Sequence, residues 1–246
     1  MSDNQVGTYK LVASPFHLDV RGKLSMGVLG KHLLNCADAY AAERGFDVVE
    51  QGGEHYTWVL SRLAIELEDL PSCHESFSIQ TWVENVYRLF ADRNFVICNK
   101  DEKPIGYVRS VWAMISMETR NPANLLDLHG DRITNSICEK ECPIAKPGRI
   151  KVSQQEAVSE YVAKYSDLDI NGHVNSIKYI EHILDIFPLD IYKKKALKRF
   201  EIAYVAESYY GDTLSFYLEE KNENEYDIEV RKSSTEVVVR SKVIFK

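Results

Sequence analysis

The chain has 246 residues, 45% of them hydrophobic and 27% charged, with 12 glycines and 7 prolines. That apolar content supplies a sizeable core and excludes a disordered chain, and the length fits one large domain or two small ones. A formal net charge of −7, with no long basic stripe, argues against a general affinity for nucleic acid.

The first residues, "MSDNQVGTYKLV", lack the basic segment and apolar core of a targeting peptide, and no stretch approaches the roughly 18 apolar residues of a membrane span. The expectation is a cytoplasmic protein with no membrane association. "YKLVASPFHLDVRGK" reads as a short strand and a polar loop. A helix is predicted over 26–44, with Leu29, Leu33, Leu34, Ala37 and Ala41 on one face and Gly45 placed to end it. Strand patterns follow over 57–69 and 76–86, then a hairpin over 93–118 turning at 101–104. Residues 121–150 are polar and irregular enough to be a linker. A strand over 159–166 leads into a second helix, 174–186, stopped near Pro188, and four strand-like runs complete the chain at 199–207, 213–222, 225–233 and 235–246.

Five scattered cysteines (Cys36, Cys73, Cys98, Cys138 and Cys142) suit free thiols in a reducing compartment. Cys138 and Cys142 are close, but no histidine or further cysteine nearby completes a metal set. Neither a metal nor another cofactor is expected.

The same order of elements occurs twice, and the repetition holds residue by residue. "HLDVRGKL" lies over "DLDINGHV", with Asp19 over Asp169 and Gly22 over Gly172, both 150 apart. Downstream, Leu63 over Phe200, Ile65 over Ile202, Glu75 over Asp212 and Ile79 over Phe216 are all 137 apart. A duplicated α+β fold follows, each unit an antiparallel sheet wrapped around a lone helix, with units at 1–125 and 151–246 joined by a linker at 126–150.

The copies differ where chemistry would be expected. The second turn carries Asp169, Asn171 and His173; the first carries Asp19, Arg21 and Lys23. Aspartate and glycine suit a turn before a helix, and capping accounts for them. A histidine at the mouth of a buried helix is explained less well, because its proton exchanges near neutral pH. Glu207, at the end of a predicted strand, replaces Leu70 of the first copy and would reach the helix start across a bend; simple solvent exposure explains it about equally well.

"YSDLDINGHVNSIKYIEHILD" closely resembles the signature of the acyl-acyl carrier protein thioesterases, and "YTWVLSRLAIELEDLPSCHESFSIQTWV" and "SVWAMISMETRNP" resemble that family's first half. The resemblance covers nearly the whole chain. It implies a double hotdog fold and hydrolysis of a fatty acyl thioester on the phosphopantetheine arm of acyl carrier protein, terminating chain elongation. It assigns the catalytic set to Asp169, Asn171, His173 and Glu207. Many plant members carry a cysteine directly after that glutamate, where this chain has Ser208; attack by water is therefore expected, with the thioester carbonyl polarised by N–H groups near Val174 and Asn175. Related single-hotdog enzymes offer another route, direct attack by an aspartate such as Asp169 to form an anhydride. An acyl-CoA thioesterase and a non-catalytic acyl-binding hotdog protein are the alternatives.

On the substrate side, the first copy is free to supply an apolar tunnel, with Trp58, Leu60, Trp82, Trp112 and Met114 as contributors or plain core. Acyl carrier protein is acidic, and "YKKKALKRF" offers Lys193, Lys194, Lys195, Lys198 and Arg199 as its docking patch, although a charge run is more often a solvated loop. A homodimer is compatible with the sequence, which does not decide the oligomeric state.

Overall fold

The computed structural model describes residues 5–246. The first half contributes strands β1 (Gly7–Val12), β2 (Val49–Gln51), β3 (Glu54–Leu67), β4 (Ser76–Val86), β5 (Ala91–Cys98) and β6 (Pro104–Ser116) around helix α1 (Met26–Glu43). Two short helices, α2 (Leu125–His129) and α3 (Asp131–Thr134), occupy the stretch expected to be irregular. The second half contributes β7 (Ser159–Val162), helix α4 (Ser176–Asp185), a short helix α5 (Leu189–Lys194), and strands β8 (Leu197–Tyr204), β9 (Thr213–Asn222), β10 (Glu225–Lys232) and β11 (Glu236–Phe245).

All eleven strands form one sheet, in the order β1-β4-β5-β6-β3-β8-β11-β10-β9-β7, with β2 paired to β3. The order of the first five is that of the last five read from the opposite edge, as the duplication requires. The halves join where β3 pairs antiparallel with β8, Leu63 opposite Ile202 and Ile65 opposite Phe200. Ala64 and Glu201, which are 137 apart and therefore equivalent, face each other at the centre of this seam, so a pseudo-twofold axis passes between them. This is the expected pair of hotdog units fused through their sheets.

The helices form where expected for local reasons. Ser25 caps α1 by accepting the Val28 N–H, and the helix ends in a left-handed glycine motif in which Phe46 N–H donates to Ala41 and Gly45 N–H to Ala42. Asn175 caps α4 through its side-chain oxygen, which accepts the Ile177 N–H at 2.9 Å. The inner face of the sheet (Leu63, Ile65, Phe77, Ile79, Phe200, Ile202, Phe216) closes over Leu29, Leu33, Ile177 and Ile180 of the two helices, forming one continuous core. The helices touch closely at Gly30, where a Cβ would come within 2.7 Å of Ile177 Cδ1.

The outer face is stitched to the linker. Arg199 is 8% exposed and donates to Glu201, to Glu66 and to the Ala145 carbonyl, while Glu201 accepts the Gly148 N–H. Arg199 is therefore a structural ion-pair residue and not part of an accessible docking patch, a correction to the sequence reading.

Candidate active site

The two turns before α1 and α4 have the same backbone hydrogen bonds. Asp169 N–H donates to His173 O, Gly172 N–H to Asp169 O, and Asp169 Oδ1 accepts the N–H groups of Asn171 (2.8 Å) and His173 (3.1 Å). Asp19, Gly22, Arg21 and Lys23 repeat each of these bonds. Gly172 and Gly22 have φ of 79° and 71°, a left-handed conformation that glycine adopts without strain.

The side chains then diverge. In the first turn Asp19 Oδ2 is occupied by the Arg21 guanidinium, which donates from Nε at 3.0 Å and Nη2 at 2.8 Å. In the second, Asn171 replaces that arginine; among the described residues neither Asp169 Oδ2 nor the Asn171 amide group has a hydrogen-bond partner. Lys23 pairs with exposed Asp69, whereas His173 meets Glu207, Nε2 to Oε2 at 3.4 Å.

Glu207 arrives there by a bend. Past the end of β8, Val205 and Ala206 N–H groups both donate to Val238 O, at 2.9 and 3.3 Å, so one extra residue is accommodated and the alternation of faces is interrupted. Val174 N–H then donates to Ser208 O at 2.8 Å, and His173 bridges to Tyr209. These bonds lock the strand end onto the turn. The other Glu207 oxygen, Oε1, pairs with Arg120 Nη2, and the Tyr209 hydroxyl donates to Oε2 at 3.3 Å. The Tyr209 ring stands edge-on to the His173 imidazole, centroids 5.2 Å apart.

Asp169, Asn171, His173 and Glu207 lie together on the wall of one cavity of about 410 Å³. Most of its remaining lining comes from the first half, including Ala37, Ala41, Phe46, Trp58 and Ala91. Trp58, Leu60 and Trp112 line it, but Trp82 and Met114 do not. Trp82 packs with Cys98, Cys138 and Cys142, and donates from its indole to Lys140 O at 2.9 Å; Met114 packs on Leu125 with its sulfur 3.2 Å from His129 Nε2.

The amides of Val174 and Asn175 are not free to polarise a carbonyl, because they donate to Ser208 O and Asp167 O, both at 2.8 Å. The next amide, Ser176, has no acceptor among the described residues, and Ser176 lines the cavity. Ser208 is fully buried and does not line the cavity, nor does any of the five free cysteines. Among the described residues no cluster of three metal-ligating side chains occurs, and no helix is long and apolar enough to cross a membrane. Sequence reasoning missed Arg120, Tyr209 and Ser176. Arg120 is 87 residues from its partner and carries no local signal; Tyr209 and Ser176 follow the motif residues directly and were within reach.

Two fused hotdog units, with an imidazole–carboxylate pair on the wall of a shared cavity, define the class: a double hotdog protein. The chain belongs to the acyl-ACP thioesterase family. The family's N-terminal domain model matches residues 9–130 and its C-terminal domain model residues 150–246. An acyl-ACP thioesterase from Bacteroides thetaiotaomicron of known structure is 60% identical, with 100% of both chains covered and a TM-score of 0.94. The 12:0-ACP thioesterase from Umbellularia californica shares the fold, with a TM-score of 0.85 over 98% of this chain and 97% of the other at 16% identity. A chloroplastic palmitoyl-acyl carrier protein thioesterase from Gossypium hirsutum is 26% identical over 69% of this chain, which spans 43% of that relative's length.

Proposed function

We propose that the protein hydrolyses fatty acyl thioesters carried by acyl carrier protein, releasing the free fatty acid. The observation that carries this reading is the shared cavity: His173 and Glu207 on its wall together with apolar side chains of the first half, among them Ala37, Ala41, Phe46 and Trp58. The acyl chain lies against Ala37, Ala41, Phe46 and Trp58, and the thioester carbonyl rests at the start of α4, where the Ser176 N–H and the Asn171 amide meet its oxygen.

A water held between the carbonyl carbon and the His173–Glu207 pair is deprotonated as it attacks. The carbonyl oxygen takes up the negative charge against Ser176 and Asn171. Collapse of this adduct breaks the carbon–sulfur bond, and the proton held by the pair passes to the departing thiolate. Asp169 holds the turn through Oδ1.

One observation favours a second route. Asp169 Oδ2 is uncommitted where Asp19 Oδ2 is not, so it can attack the carbonyl and form an anhydride that water then opens. Single-turnover hydrolysis in heavy-oxygen water with rapid quench and intact-mass analysis separates the routes: label in Asp169 or an acyl adduct on the enzyme establishes the anhydride, and the absence of both establishes direct attack.

The acidic carrier docks on Lys193, Lys194 and Lys198, the exposed members of the basic stretch; Lys195 is partly buried against Asn224. In the chain these lysines follow α4, Lys193 and Lys194 at the end of α5 and Lys198 in β8. Docking there predicts that salt weakens hydrolysis of the protein-bound substrate steeply and of acyl-CoA little.

The deciding experiment measures thiol release from acyl carrier protein and acyl-CoA substrates of graded chain length. Hydrolysis of the carrier-bound substrate with a defined chain-length optimum is expected. Preference for acyl-CoA makes it an acyl-CoA thioesterase, and binding without hydrolysis makes it an acyl-binding protein.

A further inference from the structure

We infer that Arg120, a residue of the first half, is a positioning residue for the site in the second: it holds Glu207 ionised and turned so that one oxygen faces His173. This rests on the proposed role of Glu207 in deprotonating water.

The carboxylate divides its oxygens between two tasks. Oε1 is taken by Arg120, and Oε2 is left to His173 at 3.4 Å and the Tyr209 hydroxyl at 3.3 Å. The Glu207 side chain is 39% exposed, and the last torsion of a glutamate is broad. The guanidinium is therefore what selects the rotamer and, as a fixed neighbouring cation, favours the charged form.

Arg120 is set in place at some backbone cost. Its φ of 60° is uncommon for a residue other than glycine. The surrounding turn is tightly fastened: Arg120 N–H donates to Ser116 O and Ser116 N–H to Asn121 O, both at 3.0 Å, while Thr119 N–H donates to Ser116 Oγ at 3.1 Å. Met117 N–H donates to His55 O, and Glu118 accepts the His55 N–H.

The turn directly follows β6, which ends at Ser116. The first half lacks the histidine and the glutamate, yet it provides the cation that completes the pair in the other half.

The groups that meet Glu207 are Arg120 and His173 from their turns, Tyr209 from its own segment, and Lys232 from the end of β10, while Asp169 shares the cavity wall with it. The Lys232 ammonium donates to the Glu207 backbone carbonyl at 3.0 Å, which leaves Arg120 as the cation paired with the carboxylate.

The test compares Arg120→Met, Arg120→Lys and Glu207→Gln, and adds Glu207→Gln to Arg120→Met, reading kcat, KM and the pH profile on one acyl thioester. Glu207 works as a carboxylate, so activity falls as pH drops through its titration; loss of the neighbouring cation moves that acid limb to higher pH. Arg120→Met is expected to lower kcat by about tenfold or more, with KM little changed and the limb displaced upward. Arg120→Lys restores the limb, and Arg120→Met makes Glu207→Gln no slower. An Arg120→Met enzyme with an unmoved limb, or one that slows Glu207→Gln further, overturns the inference while the role of Glu207 stands. A Glu207→Gln enzyme at full rate overturns that role itself.

Discussion

The turns at 19–24 and 169–174 are the same piece of backbone put to two uses. Each has an aspartate oxygen accepting two N–H groups, a left-handed glycine and a clip from the residue before the helix cap, Leu24 N–H to Pro71 O or Val174 N–H to Ser208 O. In the first, Arg21 and Lys23 consume the available charge, pairing with Asp19 and Asp69. The position matching Glu207 is Leu70, 6% exposed and in the core. In the second, His173 pairs with Glu207 on the wall of a cavity that Asp169 and Asn171 also line. The scaffold is therefore a matter of backbone hydrogen bonds, and the proposed reactivity is a matter of which side chains the turn carries to that cavity.

The comparison can be broken by making the second turn like the first. Asn171→Arg together with His173→Lys is expected to cut hydrolysis by about 10²–10⁴-fold while shifting the melting temperature little, because the turn's bonds come from N–H groups that any residue supplies. Near-normal activity in this variant removes His173 from the mechanism.

A titration probes the linker where it packs on the first half. His129, the last residue of α2, is 2% exposed and stacked on Trp58. Burial, reinforced by Arg132, pushes its imidazole down from 6.5 to about 4. The unfolded chain then binds a proton that the folded one refuses, so stability is full above about 6.5 and is lost as pH falls toward 4, by at most about 3 kcal/mol. Urea melts of the wild type and His129→Phe at pH 7 and near 4.5 check this: the wild type must lose ground to the variant on acidification, and a constant difference refutes it.

A smaller effect sharpens the division between scaffold and chemistry. Asp19→Ala and Asp169→Ala each remove an acceptor from two N–H groups and should each cost about 1–2 kcal/mol. Only the second should also abolish hydrolysis, as denaturation curves and rate assays on both proteins will show. The smallest expected change is the most symmetric. Gly22→Ala and Gly172→Ala place a Cβ in open space at positive φ, so each pays backbone strain alone, about 1 kcal/mol. Unequal losses show that the turns are not equivalent.

The sequence by itself determined whatever depends on neighbours along the chain. The 3.6-residue pattern and Gly45 predicted a helix over 26–44, one residue longer than α1 (Met26–Glu43), two strands, β4 and β9, have the predicted limits, and the 150 and 137 offsets disclosed the duplication. Asp169, Asn171 and His173 were legible because they lie in one turn, and because a degenerate copy shows what that turn needs. The short helices α2, α3 and α5 were not, since four to six residues carry too little periodicity to register.

Only the tertiary structure decided what depends on distant segments meeting. It joined the halves at β3 and β8, buried Arg199 beneath the linker, occupied the Val174 and Asn175 amides, and gave the second half's site a cavity lined largely by the first. Arg120 is the extreme case. Nothing within the run "SMETRNP" marks it, because its partner is 87 residues away and is brought near only when the fused sheet sets one half against the other.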